Sequence, residues 1–270
     1  MYKCMITRSF LGQAHPEELG ALIEILKSGM VTSALGSQYE LHDDAKCDTL
    51  GSLWRILGAN SSSQRVFGEA TGFSLLLTSL HSFQNGIEIL DSQSSLIAHM
   101  KVFSFLLRVV TAGVCTNPIN RLRLHAVMSS QAFYDLLCDS GLLCVDCEKQ
   151  VIQLLLELAL ELVVPPSSVA QESVSSSDTF EDESSFLYSA PIGALKLDRE
   201  WVYNASAVGV LIRSLLLFTP KVQLDLLKFI EKLAQASPFN QENLTTVGKK
   251  TPNMLCTSCI TVLSFGLIIV

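Results

Sequence analysis

Charge is scarce in this chain. Asp, Glu, Lys and Arg together make up 17% of its 270 residues, and the 19 basic side chains are scattered along the sequence. A protein that binds a phosphate backbone needs a concentrated basic face. Because the formal net charge is also -7, we predict that nucleic acid is not a partner.

The common signatures of catalysis are missing as well. The sequence has no Gly-rich dinucleotide fingerprint and no G-x-S-x-G elbow, and its five histidines form no H-E-x-x-H pair. Residues 248–251 superficially resemble a phosphate loop, but Asn243 stands where the first glycine is required and Lys250 where Ser or Thr is required. We therefore predict no enzyme, no catalytic residue and no cofactor.

The eight cysteines include two C-x-x-C pairs, Cys144 with Cys147 and Cys256 with Cys259. A zinc site needs four ligands in a tetrahedron, yet neither pair has a second Cys or His couple close in sequence, although Cys138 lies near the first pair. A redox motif would need a thioredoxin-like βαβ context, which the pattern does not offer. Ordinary buried thiols are the preferred interpretation, and we predict no metal site.

Residues 1–10 carry Lys3 and Arg8 and have no sustained apolar run, so the sequence predicts no secretory signal. We expect a cytoplasmic protein whose cysteines are free thiols. On that expectation the three glycosylation sequons, at Asn60, Asn204 and Asn243, are chance matches.

The chain is rich in apolar residues at helical spacing, and 49% of its residues are hydrophobic. In 148–164 the polar residues Gln150, Gln153, Glu157 and Glu161 recur every three or four positions among Val, Ile, Leu and Ala, so one narrow edge of this helix is predicted to face water. Such a helix is stable only between other helices. No stretch alternates apolar and polar residues, and we predict an all-α, armadillo-like α-solenoid of stacked helices.

Periodicity and end signals predict ten helical segments. They are 16–28, a run centred on 50–57, 64–70, 73–83, 94–111, 118–128, 131–138, 148–164, 202–218 and 220–236. In the last segment Thr219 is predicted to cap the helix and Pro220 to occupy its first position. Its inward residues are predicted to be Val222, Leu226, Ile230 and Leu233, and its outward residues Lys221, Asp225, Lys228 and Glu231.

A loose internal echo supports a repeat architecture. The order Gln64, Val66, Phe67 and Gly72, followed by leucines, resembles Gln131, Phe133, Leu137 and Gly141, also followed by leucines, although the spacing is irregular. A partial third copy starts at Gln241. Each unit reads as a short helix, a turn and a longer apolar helix, which must stack on its neighbours.

Four regions follow from these patterns. Residues 1–164 and 191–248 are predicted to be helical repeats, separated at 165–190 by a disordered Ser-rich acidic loop. Phosphorylation at Thr179, which precedes acidic residues, is the alternative to an inert loop.

Residues 249–270 are predicted to be an atypical apolar tail, uncharged over 255–270. A membrane-spanning helix needs about 20 apolar residues, more than this run supplies. A tail anchor is therefore the alternative to an unpaired apolar end.

Long stretches of the chain, at 50–60, 63–73, 107–113, 150–154 and 211–224, resemble the WD repeat and FYVE domain-containing proteins, which are very large BEACH proteins. The likeness extends over roughly 41–248 and is greatest to the family member of immune cells. It covers only the armadillo-like region of that family, and after Gly248 the sequence departs from the family pattern.

The resemblance implies a scaffold that binds proteins through its helical surface, in endosomal membrane traffic, autophagy and antigen handling by immune cells. It carries over no catalytic residue. It also implies a cytoplasmic location at endosomal or endoplasmic reticulum membranes, with membrane association that is indirect or made through the C-terminal tail. The alternative function is a tail-anchored membrane adaptor that uses 255–270.

Overall fold

A computed structural model describes residues 16–30, 43–86, 92–162 and 201–250. These residues form eleven α-helices and two short 3-10 helices, and they contain no β-strand. The predicted all-α class is therefore confirmed. The described residues fall into two compact units, the first reaching Leu142 and the second comprising 143–162 and 201–250. The predicted loop 165–190, with Thr179, lies outside the described residues, as does the predicted tail 249–270 from residue 251 onward, with Cys256 and Cys259.

Seven α-helices build the first unit. They are α1 (Pro16–Met30), α2 (Asp43–Ala59), α3 (Ser61–Glu69), α4 (Leu75–Gly86), α5 (Ser92–Val114), α6 (Pro118–Met128) and α7 (Gln131–Asp139), with a 3-10 helix at Gly72–Ser74 before α4. Helix α5 packs most extensively against α2, and it also contacts α3, α4 and α6. Helices stack side by side in this unit, as in a solenoid.

Helix α5 lies at the centre of the first unit because it is apolar on most sides. Phe103, Leu106 and Val110 are fully buried in it. Its Leu96–Val114 stretch is long and apolar enough to cross a membrane by length and composition, but two thirds of the tested window is buried inside the protein. A core helix of this length meets the same criterion, so the finding is weak evidence for a membrane span.

Four α-helices build the second unit. They are α8 (Glu148–Leu160), α9 (Ala205–Arg213), α10 (Pro220–Ala236) and α11 (Pro238–Lys250), with a 3-10 helix at Leu215–Leu217 between α9 and α10. Helix α9 packs against both α8 and α11, and α10 packs against α11.

The prediction of one helix over 202–218 is wrong at both ends. The N–H groups of Tyr203 and Asn204 donate to the Ala159 carbonyl oxygen at 2.9 and 3.1 Å, so this segment closes the C-terminus of α8 before α9 begins. A 3-10 turn, Leu215–Leu217, replaces the predicted last turns.

The water-facing stripe predicted for 148–164 is wrong in its second half, because Gln150 and Gln153 are half-buried whereas Glu157 and Glu161 are buried. Helix α8 ends at Leu160, and Glu161 takes a left-handed conformation (φ 52°) that terminates it. Glu157 and Glu161 are only 8% and 2% exposed. Their acceptor oxygens are used inside the unit, because Gln153 donates to Glu157 at 3.0 Å and Asn204 donates to Glu161 at 3.2 Å. Hydrogen bonding, rather than solvent, stabilises these polar groups.

Helix α10 matches its predicted faces. Val222, Leu226, Ile230 and Leu233 are buried, and Lys221, Asp225, Lys228 and Glu231 are exposed. Its predicted cap is different, because the Thr219 hydroxyl makes no capping bond and donates instead to Glu148 Oε1 at 2.6 Å. Thr219 N–H donates to Glu148 Oε2 at 2.8 Å, so a carboxylate from α8 lies at this N-terminus.

Three helix corners share one hydrogen-bonding device, which we call the amide clamp. A buried Asn or Gln in the first turn of a helix donates from its side-chain nitrogen to the carbonyl seven residues earlier, in the last turn of the preceding helix. The three pairs are Gln64 with Leu57 (3.0 Å), Asn120 with Gly113 (2.8 Å) and Asn240 with Leu233 (2.9 Å). Each clamp satisfies a carbonyl that the helix leaves without an internal partner.

The amide clamp revises the repeat read from the sequence. The internal repeat in the sequence pairs Gln64 with Gln131. In the structure, however, Gln131 is exposed and donates to Asp135 at 2.6 Å, whereas Gln64 is buried. The positions that share a role are Gln64, Asn120 and Asn240.

Candidate interaction surface

Helix α6 presents apolar side chains outward. Ile119 and Leu122 are 62% and 71% exposed, and Ala126 is exposed in the next turn. Their spacing of i, i+3 and i+7 puts all three on one face of the helix. The opposite face, formed by Asn120, Leu124 and Met128, is buried. We call Ile119, Leu122 and Ala126 the α6 stripe.

Basic side chains border the α6 stripe. Helical spacing places Arg123 along one edge and His125 along the other, and it places Arg121 further round, beside the buried Met128. All three are half-buried. Helix α6 carries no acidic residue, although the whole chain has a net charge of -7. The surface therefore combines an apolar centre with an arginine along one edge and a histidine along the other.

The N-terminus of α6 is fixed by its sequence. The Asn117 side chain accepts a hydrogen bond from Asn120 N–H at 3.1 Å, and Pro118 occupies the first turn, where its missing N–H has no cost. Just before the cap, Thr116 adopts a left-handed conformation with φ of 61°. A β-branched residue is strained in that region, so the surrounding packing holds the corner in place.

The amide clamp at Asn120 attaches α6 to its neighbours. Asn120 Nδ2 donates to the carbonyl oxygens of Gly113 (2.8 Å) in α5 and of Gln64 (2.7 Å) in α3. Gly68 makes room for this side chain, because a Cβ there would lie 2.0 Å from Asn120 Oδ1. The helix that bears the α6 stripe is therefore hydrogen-bonded through Asn120 to both α3 and α5.

Arg123 is positioned by the same residue. Its Nη1 donates to Asn120 Oδ1 at 3.0 Å, so the guanidinium is held against a fully buried side chain. A side chain that is already restrained loses less conformational entropy when it binds a partner.

The second unit also exposes large apolar side chains, at Val145 (67%) and in two further settings. Leu216 (68%) and Leu217 precede α10, and Leu224 lies on its outer face among charged residues. Trp201 and Phe239 are exposed with ring centroids 5.6 Å apart. The Trp201 segment is held by Val202, whose N–H donates to Asn240 at 2.8 Å and whose carbonyl accepts from Asn243 at 3.1 Å.

The described C-x-x-C pair consists of buried or half-buried thiols. Cys147 is fully buried at the start of α8, and this burial, together with neighbouring Cys144, raises its pKa to about 12. A thiol with such a pKa is a poor nucleophile at neutral pH. Among the described residues, no group of three or more His, Cys, Asp or Glu side chains is arranged to hold a metal ion.

Other residues noted in the sequence have packing or hydrogen-bonding roles. His99 stacks on Phe83 with ring centroids 4.5 Å apart, and burial lowers its pKa. Residues 248–250 continue α11, so they do not form a phosphate loop.

The three sequon asparagines all use their side chains within the fold. Asn60 caps α3 by accepting from Ser62 N–H at 2.9 Å, and Asn204 donates to Leu158 O at 2.9 Å. Asn243 donates to Val202 O. Each side chain therefore has a role that does not require a glycan.

The sequence pattern predicts α6 at its observed bounds, 118–128, but does not indicate which of its faces is exposed. Apolar residues on both sides of 118–128 made the buried side ambiguous by periodicity alone. The informative signal was Asn120, a polar residue whose neighbours on the same face, Leu124 and Met128, are apolar.

No protein-family model matches the chain, and no solved structure does either. The chain is 57% identical over 245 residues to Protein SPIRRIG of Arabidopsis thaliana and 56% identical over 249 residues to BEACH domain-containing protein A2 of the same plant. These matches cover 91% and 92% of the chain but only 7% of each relative.

Both relatives are plant BEACH-domain-containing proteins, so the finer resemblance to the immune-cell member of another BEACH group is not supported. The chain is similar, over about nine tenths of its length, to a small part of two BEACH-domain-containing proteins, which confirms the resemblance to BEACH proteins.

Proposed function

We propose that this chain is a non-enzymatic interaction scaffold, the helical segment of a BEACH-type protein, and that a protein partner docks on the α6 stripe. The observation that carries the proposal is the exposure of Ile119 and Leu122, at 62% and 71%, on a helix fixed by the Asn120 clamp. Large apolar side chains held rigidly at a surface are typical anchors of protein interfaces.

The resemblance to BEACH proteins supports a broader role for this scaffold. We infer a cytoplasmic function in endosomal membrane trafficking and autophagy, with partners bound through the helical surface and with any membrane contact made indirectly. Antigen handling, which the resemblance also implied, has no support from the plant relatives.

Proximity labelling tests the proposal directly. The full chain, fused to a biotin ligase and expressed in plant cells, is compared with Leu122→Glu and with the matched control Leu216→Glu, which alters a leucine of similar exposure in the second unit. We expect a set of labelled proteins that disappears with Leu122→Glu and persists with Leu216→Glu. Identical labelling by all three proteins would contradict a docking role for α6.

A further inference from the structure

The turn that leads into α8 brings two thiols together. The carbonyl oxygen of Cys144 accepts from Cys147 N–H at 3.1 Å and from Glu148 N–H at 2.8 Å, so the turn continues directly into the helix. A hydrogen-bonded turn of this kind keeps the Cα atoms of its first and fourth residues within about 7 Å, the limit for a disulfide. The backbone therefore places Cys144 and Cys147 where a disulfide could join them.

The two side chains also contact each other. Cys147 is the N-cap residue of α8, yet its side chain makes no capping bond. It is hydrogen-bonded to the side chain of Cys144 instead. The sulfur atoms therefore face one another without any rearrangement of the helix.

The two thiols differ in their access to solvent. Cys144 is half-buried and is followed by Val145 and Asp146, which are both exposed, whereas Cys147 is fully buried. Burial, together with Cys144, raises the pKa of Cys147 to about 12, so Cys147 keeps its proton at neutral pH. Cys144 is the thiol that a dissolved oxidant meets first.

We propose that Cys144 and Cys147 form a reversible disulfide when the protein meets a hydroperoxide, with Cys144 oxidised first and Cys147 as the resolving thiol. This inference does not depend on the proposed docking function. Protein disulfides in a reducing compartment are usually transient, and attack by an external thiolate reverses such a bond.

The reaction balances in two steps. In the first, the Cys144 thiolate attacks a peroxide oxygen, an S–O bond forms, the O–O bond breaks, and the other oxygen leaves and takes up a proton. In the second, Cys147 Sγ attacks Cys144 Sγ, the S–O bond breaks, and the Cys147 proton leaves with that oxygen as water. The peroxide gains the two electrons that the pair of thiols loses.

The test treats the full, reduced 270-residue chain with hydrogen peroxide, alkylates the remaining thiols and identifies peptides by mass spectrometry. Cleavage before aspartate separates Cys138, Cys144 and Cys147 from one another, because Asp139 and Asp146 lie between them. The variants are Cys144→Ser, Cys147→Ser and the matched control Cys138→Ser, which alters another half-buried thiol. Circular dichroism checks that each variant is helical.

We expect the Cys144 and Cys147 peptides of the unaltered protein to be joined, with a mass two hydrogens below their sum, and dithiothreitol to separate them. Cys138→Ser should leave the link intact. Cys147→Ser should leave Cys144 as a sulfenic acid that dimedone traps, and Cys144→Ser should leave Cys147 as an unoxidised thiol.

Three results would overturn the proposal: no link at a peroxide concentration that oxidises Cys144, a link from Cys144 to Cys138, or equal oxidation of Cys147 in the presence and absence of Cys144. The link is sought in the unaltered protein, so its presence or absence is decided even if a variant fails to fold.

Discussion

Helix α6 of the first unit and α10 of the second start in the same way and end with different surfaces. Each has proline in its first turn, after Asn117 in one case and Thr219 in the other, and each buries one apolar face. The outer face of α10 mixes Lys221, Asp225 and other charges of both signs, which is typical of a solvated helix. The outer face of α6 carries the exposed apolar side chains of Ile119, Leu122 and Ala126. Two helices with similar first turns and similarly buried faces can therefore carry very different side chains on their outer faces.

The two helices are also secured differently at their N-termini. Asn117 caps α6 with its own side chain, so that cap is local. The N-terminus of α10 depends on Glu148, a residue 71 positions earlier, which accepts from both the N–H and the hydroxyl of Thr219. Carboxylates are stabilising near the N-terminus of a helix. The second unit therefore couples the start of α10 to the start of α8.

The largest loss of stability is expected from a substitution that disrupts the hydrogen bonds between α6 and its neighbours. Gly68→Ala would place a Cβ 2.0 Å from Asn120 Oδ1, so Asn120 must leave its position and the carbonyls of Gln64 and Gly113 lose their donor. We expect the free energy of unfolding of the first unit to fall by about 4 kcal/mol, measured by urea denaturation with circular dichroism.

The matched control for this change is Gly20→Ala in α1, where nothing lies within 4 Å of the added Cβ. Alanine favours a helix interior over glycine, so stability should rise by up to about 1 kcal/mol. Similar losses of unfolding free energy from Gly68→Ala and Gly20→Ala would show that the close contact between Gly68 and Asn120 does not cause the destabilisation.

A smaller effect distinguishes the local cap from the distant one. Glu148→Ala removes a charged acceptor from two donors and should cost about 3 kcal/mol, whereas Asn117→Ala removes one capping bond and should cost about 1 kcal/mol. Thermal or urea unfolding of both variants measures the ratio. Equal costs would remove the distinction between the two caps.

At alkaline pH the buried thiols of the two units should affect stability over different pH ranges. Burial raises the pKa of Cys47 in the first unit to about 11, and burial together with Cys144 raises that of Cys147 in the second to about 12. Each folded pKa lies above the ordinary value of 9.0, so above that pH the unfolded state loses its proton first. The stabilisation from each neutral thiol is complete below pH 9 and is lost as pH rises through the folded pKa, with a slope of about 1.4 kcal/mol per pH unit.

We expect the stability of Cys47→Ala and of Cys147→Ala to decline less steeply above pH 9 than that of the unaltered protein. The loss in the unaltered protein should level off at a lower pH for the Cys47 contribution than for the Cys147 contribution. A pH dependence identical in all three proteins would rule out a contribution from these thiols.

The smallest expected effect concerns the corner before α6. Thr116 has a φ of 61°, which glycine adopts at little steric cost. Thr116→Gly should therefore raise the free energy of unfolding by about 1 kcal/mol, measured by urea denaturation. The corner before α10 offers a comparison, because Thr219 has an ordinary extended conformation with φ of -63°, and Thr219→Gly there should bring no gain. A loss of stability from Thr116→Gly would show that the threonine side chain contributes more than its strain removes.

The sequence was sufficient to predict the helical class, the bounds of α6 and both faces of α10, because apolar periodicity follows directly from helix geometry. It was misleading at 148–164 and 202–218, where polar residues hydrogen-bond within the protein. Glu161 resembles a solvent-facing residue by spacing, yet its carboxylate accepts from Asn204, 43 positions later. A partner that distant leaves no periodic signal.

The candidate surface was harder to predict for a related reason. Ile119 and Leu122 resemble core residues in composition, and only the buried role of Asn120 reveals that they face outward. Likewise, the strain at Thr116 and the need for Gly68 depend on packing between helices.

The amide clamp also fixes the length of the chain at three corners. Each clamp joins residues seven positions apart across a turn, at 57–64, 113–120 and 233–240. Inserting or deleting one residue between the partners would rotate the amide away from its carbonyl, and the buried carbonyl would lose its donor. Related sequences should therefore show no insertions or deletions at these corners. Inserting a tag or a flexible linker there would damage the fold.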